Sequence, residues 1–422
     1  MRSNYKPIGN YIQLVDERNK GLKVTTLLGL SISKQFIKSV ANTIGTDMEN
    51  YKIICKNQFA CSTMQVRRDK KMPVALYTED EPAIISQAYP IFEIIDTEEL
   101  LPEYLMMWFT RSEFDREACF HAVGGVRGSL EWEDFCGMKL PIPSPEKQIE
   151  IVREYNVIQN RIALNNQFIT KLEKTAQAIY KQWFVDFEFP DKNKKPYKSN
   201  GGNMVWCEEL EKEIPVGWEY NNFGNLIETI NGYAFKSEDF NLKGVCPIIK
   251  IKNIKAPYVY IQSDTQYYND KISTNLQKLT ANKGDILISM TGSGANQLNS
   301  AVGQVGKYYY ESKALINQRV CKLLPKKVFY NEFVFQFISS QEIQTELLTG
   351  STGSANQANI SPNQIKDLKT LIPDDNTLKV YSKITSSIDN FKSLEMTDKL
   401  EELKELLLAK MTKVETEIIQ QL

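Results

Sequence analysis

The sequence predicts an α+β protein: two mixed α/β domains separated by two long antiparallel helices that form a coiled coil, a pseudo-two-fold tandem repeat. Three observations predict it. First, residues 143–187 hold no glycine and no proline after the first turn, and apolar side chains recur at Ile151, Tyr155, Ile158, Ile162, Ile169, Leu172, Ala176, Ile179 and Trp183. Steps alternating between four and three are the heptad seam of a coiled coil rather than the broad face of a globular helix. At 1.5 Å per residue such a helix is on the order of 60 Å long, and its stripe needs a partner. Second, the C-terminal stretch 374–422 carries a similar stripe through Ile384, Ile388, Phe391, Leu400, Leu403, Leu407, Val414 and Ile418. Its phase breaks near 393–398, as a stutter shifts a seam across a helix.

The third observation is an internal repeat. An ungapped offset of 230 residues sets Pro143 on Pro373, Leu130 on Ile360, Phe135 on Ile365, Lys139 on Lys369 and Ile142 on Ile372. With small gaps, Ala83–Gln87 matches Ala314–Gln318, and Ile8-Gly9-Asn10 matches Phe223-Gly224-Asn225. Each half is then a globular domain, a Gly-rich loop, an exit strand and a long helix. The expected boundaries are 1–143 for the first domain, 144–189 for the central helix, 190–204 for a linker, 205–373 for the second domain and 374–422 for the C-terminal helix.

Within the first domain, strands are expected at 11–15, 51–54, 59–64 and 84–86, followed by a helix over 102–119. Ser144, Pro145 and Glu146 give the central helix a capping residue, a first-turn proline and an acidic group beside its positive end. The helix pattern breaks at Pro190, and the polar, Gly-containing run 191–203 reads as a linker. In the second domain the strand candidates are 226–230, 247–251, 285–290 and 320–324, with a helix over 331–347.

Composition narrows the function classes. A chain of 422 residues exceeds a single core, its 42% hydrophobic and 24% charged residues are ordinary for a soluble protein, and its net charge is −1. A near-neutral chain is not announced as a lone DNA binder, since phosphate neutralisation needs a local or partner-supplied basic surplus. The N-terminus has no apolar signal core, and no stretch reaches the roughly 18 apolar residues of a membrane span. The seven cysteines show no CxxC spacing, which fits reduced thiols. A cytoplasmic protein with no membrane partner is expected.

Catalytic motifs are missing. His121 is the single histidine and has no carboxylate or cysteine at recognisable spacing to make it a base or ligand. HExxH, paired cysteines, GxxxxGK[ST] and GxSxG do not occur, and Gly303–Lys307 is too short for a phosphate loop and lacks its Ser/Thr. Pro190-Asp191 reads as charged linker, not as part of a nuclease cluster. Neither Pro-Pro nor Pro-Cys occurs, so a DNA methyltransferase is not indicated. No catalytic, metal or cofactor residue is assigned to this chain.

Recognition remains. Loops 289–297 and 349–359 concentrate Ser, Thr, Asn, Gln and Gly, which can hydrogen-bond base edges and sugars. The candidates for contacting DNA are Ser289, Thr291, Ser293, Asn296, Gln297, Ser351, Thr352, Asn356 and Gln357. Cationic candidates for phosphate or guanine are Lys34, Arg67, Arg68, Lys70 and Arg127 in the first domain, and Lys236, Lys252 and Arg319 in the second.

These residues carry a resemblance. Leu140-Pro141-Ile142-Pro143 with Glu146-Lys147-Gln148 opens the central helix, and 178–187 (AIYKQWFVDF) closes it. Further phrases are 214–218 (IPVGW), 231–237 (NGYAFKS), 284–289 (GDILIS) and 316–319 (INQR). Their order and spacing over nearly the whole chain resemble the specificity subunits of type I restriction-modification systems, a host-defence family. The first half follows the pattern less fully: 29–36 only loosely echoes 232–237, and no partner is evident for Gly284-Asp285. The resemblance implies two target-recognition domains that each read one half of a bipartite site in double-stranded DNA. It also implies helices that set the gap, two adenine-methylating subunits and translocating nuclease subunits as partners. AdoMet, ATP and Mg then belong to those partners. The competing reading is a structural adaptor whose helices join two protein-binding domains; an autonomous methyltransferase or nuclease is disfavoured by the missing motifs.

Overall fold

The computed structural model describes residues 5–39, 46–125, 128–241, 243–268, 272–293, 300–354, 357–392 and 394–411. The chain divides into two compact units, residues 1–163 with 399–422, and residues 164–398.

In the first unit, Tyr5–Pro7 pairs antiparallel with the exit strand Lys139–Pro141. A four-stranded antiparallel sheet runs in the order Ile12–Val15, Ile91–Ile94, Phe59–Cys61, Val74–Leu76. A second sheet is ordered Phe36–Lys38, Leu27–Leu30, Ala83–Ile85, Lys52–Ile54, with a parallel pair at its centre. The core is a cluster of phenylalanines. Phe59 stacks on Phe92 at 5.0 Å, and Phe109, Phe114 and Phe135 close around them. Such pairs add to the stability from apolar area alone.

The second unit repeats this plan. Glu219–Asn222 pairs with Lys369–Ile372. Its main sheet begins Ile227–Asn231, Val320–Pro325, Ile286–Ser289, Val305–Lys307 and continues through Tyr258–Val259 to Ile254–Lys255. Its second sheet is ordered Tyr267–Tyr268, Cys246–Ile249, Ala314–Ile316, Thr280–Ala281, again with a parallel central pair. The match extends to single hydrogen bonds. The Ile8 amide donates to the Met138 carbonyl at 2.8 Å, and the Phe223 amide donates to Leu368 at 2.7 Å. A Cβ on Gly9 would fall 2.7 Å from Cys136 Cβ, and one on Gly224 3.0 Å from Lys366 Cβ. A side chain would clash at Gly9 and be crowded at Gly224, so the same close helix approach favours glycine in both halves.

The helix Pro145–Tyr180 is continuous and ends in a π-helical turn, Lys181–Val185. Gln148 fastens its start: buried, it accepts from the Leu101 amide at 2.9 Å and donates to the Glu99 and Pro143 carbonyls at 2.8 and 2.9 Å. Within the first unit Ile151 and Tyr155 pack with Leu407, Leu408 and Met411. Within the second, Asn165 donates to Thr397 Oγ1 at 2.6 Å, Phe168 meets Phe391 edge-on at 6.4 Å, and Trp183 lies 5.6 Å from Tyr381.

Several expectations are corrected. The C-terminal stretch is two helices, Asp375–Asn390 and Leu394–Lys410, so one long helix is present among the described residues, not two. The helix expected over 102–119 breaks at Arg111, whose backbone is extended and whose guanidinium lies 4.1 Å over the Trp108 ring. That over 331–347 breaks at Ser339–Ser340, where Ser340 caps Gln341–Thr349. The run 190–204 is ordered against the second unit: Tyr197 stacks on Phe189 at 4.5 Å, and Phe189 stacks on Trp218 at 5.0 Å.

Candidate nucleic-acid interface

The tip between Ile286–Ser289 and Val305–Lys307 is where the second unit gathers its polar loops. Thr291–Gly292 leaves the main sheet and pairs with Gln357–Asn359, which hairpins back on Thr352–Ser354. The expected loops 289–297 and 349–359 therefore meet in one three-stranded ribbon. Its base is pinned by the Met290 amide donating to the Arg319 carbonyl and the Ile360 amide donating to Met290, both at 2.9 Å. Gly353 sits at φ +136°, and a Cβ there would fall 2.0 Å from the Gln357 carbonyl oxygen, so the ribbon turns only with glycine.

The candidates separate by position. Ser289 is buried and donates to the Thr291 carbonyl at 2.9 Å, a support rather than a contact. Thr291 Oγ1 is buried without a partner among the described residues. The Ser293 carbonyl accepts from Ser300 Oγ at 2.7 Å, and Ser351 Oγ donates to Leu348 at 2.6 Å. Thr352 and Gln357 are exposed on the ribbon around Asn359, at 3.5 Å from its carbonyl and side-chain oxygens respectively. Arg319 is exposed beside them, and its guanidinium has no partner among the described residues. Lys236 and Lys252 are instead held in surface pairs with Glu238 at 3.6 Å and Asp264 at 2.7 Å. Asn296, Gln297 and Asn356 lie outside the described residues, as does Arg127 of the first unit.

The first unit builds its tip in the same place. The Ser62 amide donates to the Pro73 carbonyl at 2.8 Å, as Ser289 donates to Gln304 at 2.9 Å, and the Leu130 amide donates to Thr63 as Ile360 donates to Met290. The tip is the helical turn Val66–Asp69, bracketed by Gln65 and Lys70 at φ +64° and +51°. Two non-glycine residues in the left-handed region store roughly 1–3 kcal/mol each, strain that clusters at ligand clamps. Arg67 ties this turn to the Gly-rich loop. Its Nη1 donates to the Gly124 carbonyl at 2.8 Å, its amide donates to Gly128 at 3.3 Å, and the Val123–Ser129 bridge closes the loop. Arg68 is bound through Nε and Nη2 to the two carboxylate oxygens of Asp69 at 2.7 and 3.0 Å, which holds that carboxyl below its usual range. Lys70 is exposed.

Lys34 is corrected as a surface contact. It is buried, donates to the Phe109 carbonyl and pairs with Asp115 at 2.8 Å, while Asp115 also accepts from the Met72 amide at 3.1 Å. Burial lowers its pKa and Asp115 opposes the shift. The pair anchors the root of the tip. Sequence reasoning missed Asp69 as a holder of Arg68 and Asn359 as the centre of the ribbon. An acidic residue beside an arginine was a visible signal for the first; only strand register reveals the second.

Among the described residues, no group of three or more His, Cys, Asp or Glu is placed to hold a metal ion, and no helix is long and apolar enough to cross a membrane.

Two units of one α+β plan, each presenting a loop tip beside a glycine hairpin, define a tandem-repeat protein. A family model described as the type I restriction modification DNA specificity domain matches residues 215–405. The chain is 26% identical over 203 residues to the type I restriction enzyme MjaIX specificity subunit of Methanocaldococcus jannaschii, a match spanning 47% of this chain and 44% of that one. It is 20% identical over 354 residues to the HindI specificity subunit of Haemophilus influenzae, covering 71% and 76%. The fold matches a crystal structure of the type I restriction-modification S subunit from M. genitalium with a TM-score of 0.56 at 14% identity, over 96% of this chain and 95% of that one. Residues 215–405 therefore carry the type I restriction modification DNA specificity domain, and the chain is similar to type I specificity subunits beyond that segment.

Proposed function

We propose that this chain is the sequence-specific DNA-recognition subunit of a type I restriction-modification complex. Domains 1–143 and 205–373 each read one half of a bipartite target in double-stranded DNA. The central helix, 144–189, and the C-terminal helices within 374–422 pair antiparallel as the coiled coil that sets the gap, in a pseudo-two-fold tandem repeat. The observation that carries this reading is the duplicated tip: the same two hydrogen bonds root a basic turn in one unit and a Ser/Thr/Asn ribbon in the other. Both materials suit phosphate and base-edge contacts. Support for the pairing comes from within the second unit, where partners of Asn165, Phe168 and Trp183 fall in descending order at Thr397, Phe391 and Tyr381.

Methylation and cleavage belong to partners: two methyltransferase subunits, which take AdoMet, and restriction/translocase subunits, which take ATP and Mg. Co-expression with the methylating subunits, followed by genome-wide mapping of methylated adenines, is expected to give a motif of two specified blocks around an unspecified gap. A contiguous motif overturns the reading. DNA binding without sequence preference makes the chain a structural adaptor.

A further inference from the structure

We infer that Arg68, held by Asp69, reads a guanine in one half of the DNA target. The inference rests on the DNA-reading function proposed above and deepens it to one residue and one base. A guanidinium has five N–H donors in a planar fork. Asp69 occupies one on Nε and one on Nη2, at 2.7 and 3.0 Å, which consumes a single edge of that plane. The opposite edge, Nη1 with the second Nη2 hydrogen, keeps the spacing that matches guanine O6 and N7 in the major groove. The same fork also fits phosphate, so the salt dependence of an alanine variant separates the two contacts.

Position separates Arg68 from its neighbours. Arg67 spends Nη1 on the Gly124 carbonyl and ties the turn to the glycine hairpin, so it is a positioning residue. Lys70 and Lys71 are exposed ammonium groups without a fork and suit phosphates. The side chain of Arg68 is 47% exposed, whereas that of Asp69 is 15% exposed, so the carboxylate is seated and the arginine faces outward. Gln65 and Lys70, both left-handed, fix the direction of the turn between them. The equivalent tip of the second unit, 290–304, has no arginine or lysine. In the second unit an arginine–guanine contact would have to come from Arg319 beside the ribbon, not from the tip loop itself.

The test uses the full-length chain co-expressed with its methylating subunits, as wild type, R68K, R68A and D69N. The wild type is read first. A missing bipartite motif overturns the DNA-reading function itself, whereas a bipartite motif without a G·C pair overturns only the role of Arg68. R68K is expected to lose roughly 10- to 100-fold in discrimination at one G·C position of one half, with the other half and the gap unchanged. D69N is expected to relax the same position less. An R68K motif identical to wild type overturns the inference, because lysine replaces a phosphate-bound arginine but not a guanine fork. In R68A, uniform weakening on every duplex, with a fall of about 0.9 in the slope of log affinity against log salt, assigns the residue to the backbone and also overturns it. If R68A fails to assemble, R68K decides.

Discussion

Lys307, the lysine that ends the abortive phosphate-loop pattern, is fully buried in the second unit. It contacts Glu332, lies 3.1 Å from Asp389 and sits 4.8 Å from the centroid of the Phe335 ring. Tyr309 donates to the same Asp389, and Lys392 approaches that carboxylate at 3.8 Å. Burial pulls the ammonium toward neutrality, and Asp389 resists. Removing one partner of such a group leaves charge buried without compensation. Lys307→Ala is expected to destabilise the chain by about 3 kcal/mol in urea melts, and K307A/E332Q to recover part of that loss. Little of this was legible. Gly303–Lys307 reads as a failed nucleotide loop because spacing along the chain does not reveal which carboxylates lie across a sheet. Lys34 misled for the same reason, as its partner Asp115 is far off in sequence. Gly9 and Gly224 were legible, because close approach to a helix favours glycine and the repeat aligned them.

At the scale of elements, ends were readable where a side chain supplies the cap and breaks were not. Asp374 accepts from the Asn376 and Thr377 amides at 3.0 Å and, through its other oxygen, from Trp218 Nε1 at 3.3 Å. It therefore both starts the helix Asp375–Asn390 and satisfies the indole N–H. Asp374→Ala is expected to cost about 1–2 kcal/mol in the urea midpoint, and Asp374→Asn clearly less, because asparagine also caps. Equal losses would show that the charge matters and the cap does not. The break at Arg111 carries no proline or glycine; it arises where the chain turns so that the guanidinium covers Trp108, a tertiary contact that overrides helix propensity. The counterpart of Gly284-Asp285 was hidden differently. The Asn57 amide donates to Tyr77 at 2.9 Å as Gly284 donates to Tyr308 at 2.7 Å, and both residues have positive φ. Asparagine is the residue that most often replaces glycine there, so the turn was conserved in shape while its letters changed.

For the molecule as a whole, the proposed division into two independent readers implies that one can be exchanged without disturbing the other. The packing of the second unit sharpens where the exchange must be made. Phe184 lies 4.8 Å from Phe333 and from Tyr381 and 5.8 Å from Trp218, while Phe187 and Phe189 also meet Trp218. Segment 205–373 therefore supplies Trp218 and Phe333 to a core whose other half comes from 184–189 and 381. A graft of 205–373 from a type I specificity subunit that keeps aromatic residues at positions 218 and 333 is expected to assemble. It should change one block of the methylated motif and leave the other block and the gap as they were. A graft that truncates either position to alanine opens a cavity worth about 3–5 kcal/mol and is expected to lower the yield of soluble complex. Methylation mapping and solubility read the two consequences separately. If both blocks change in a graft that remains soluble, the units do not read DNA independently.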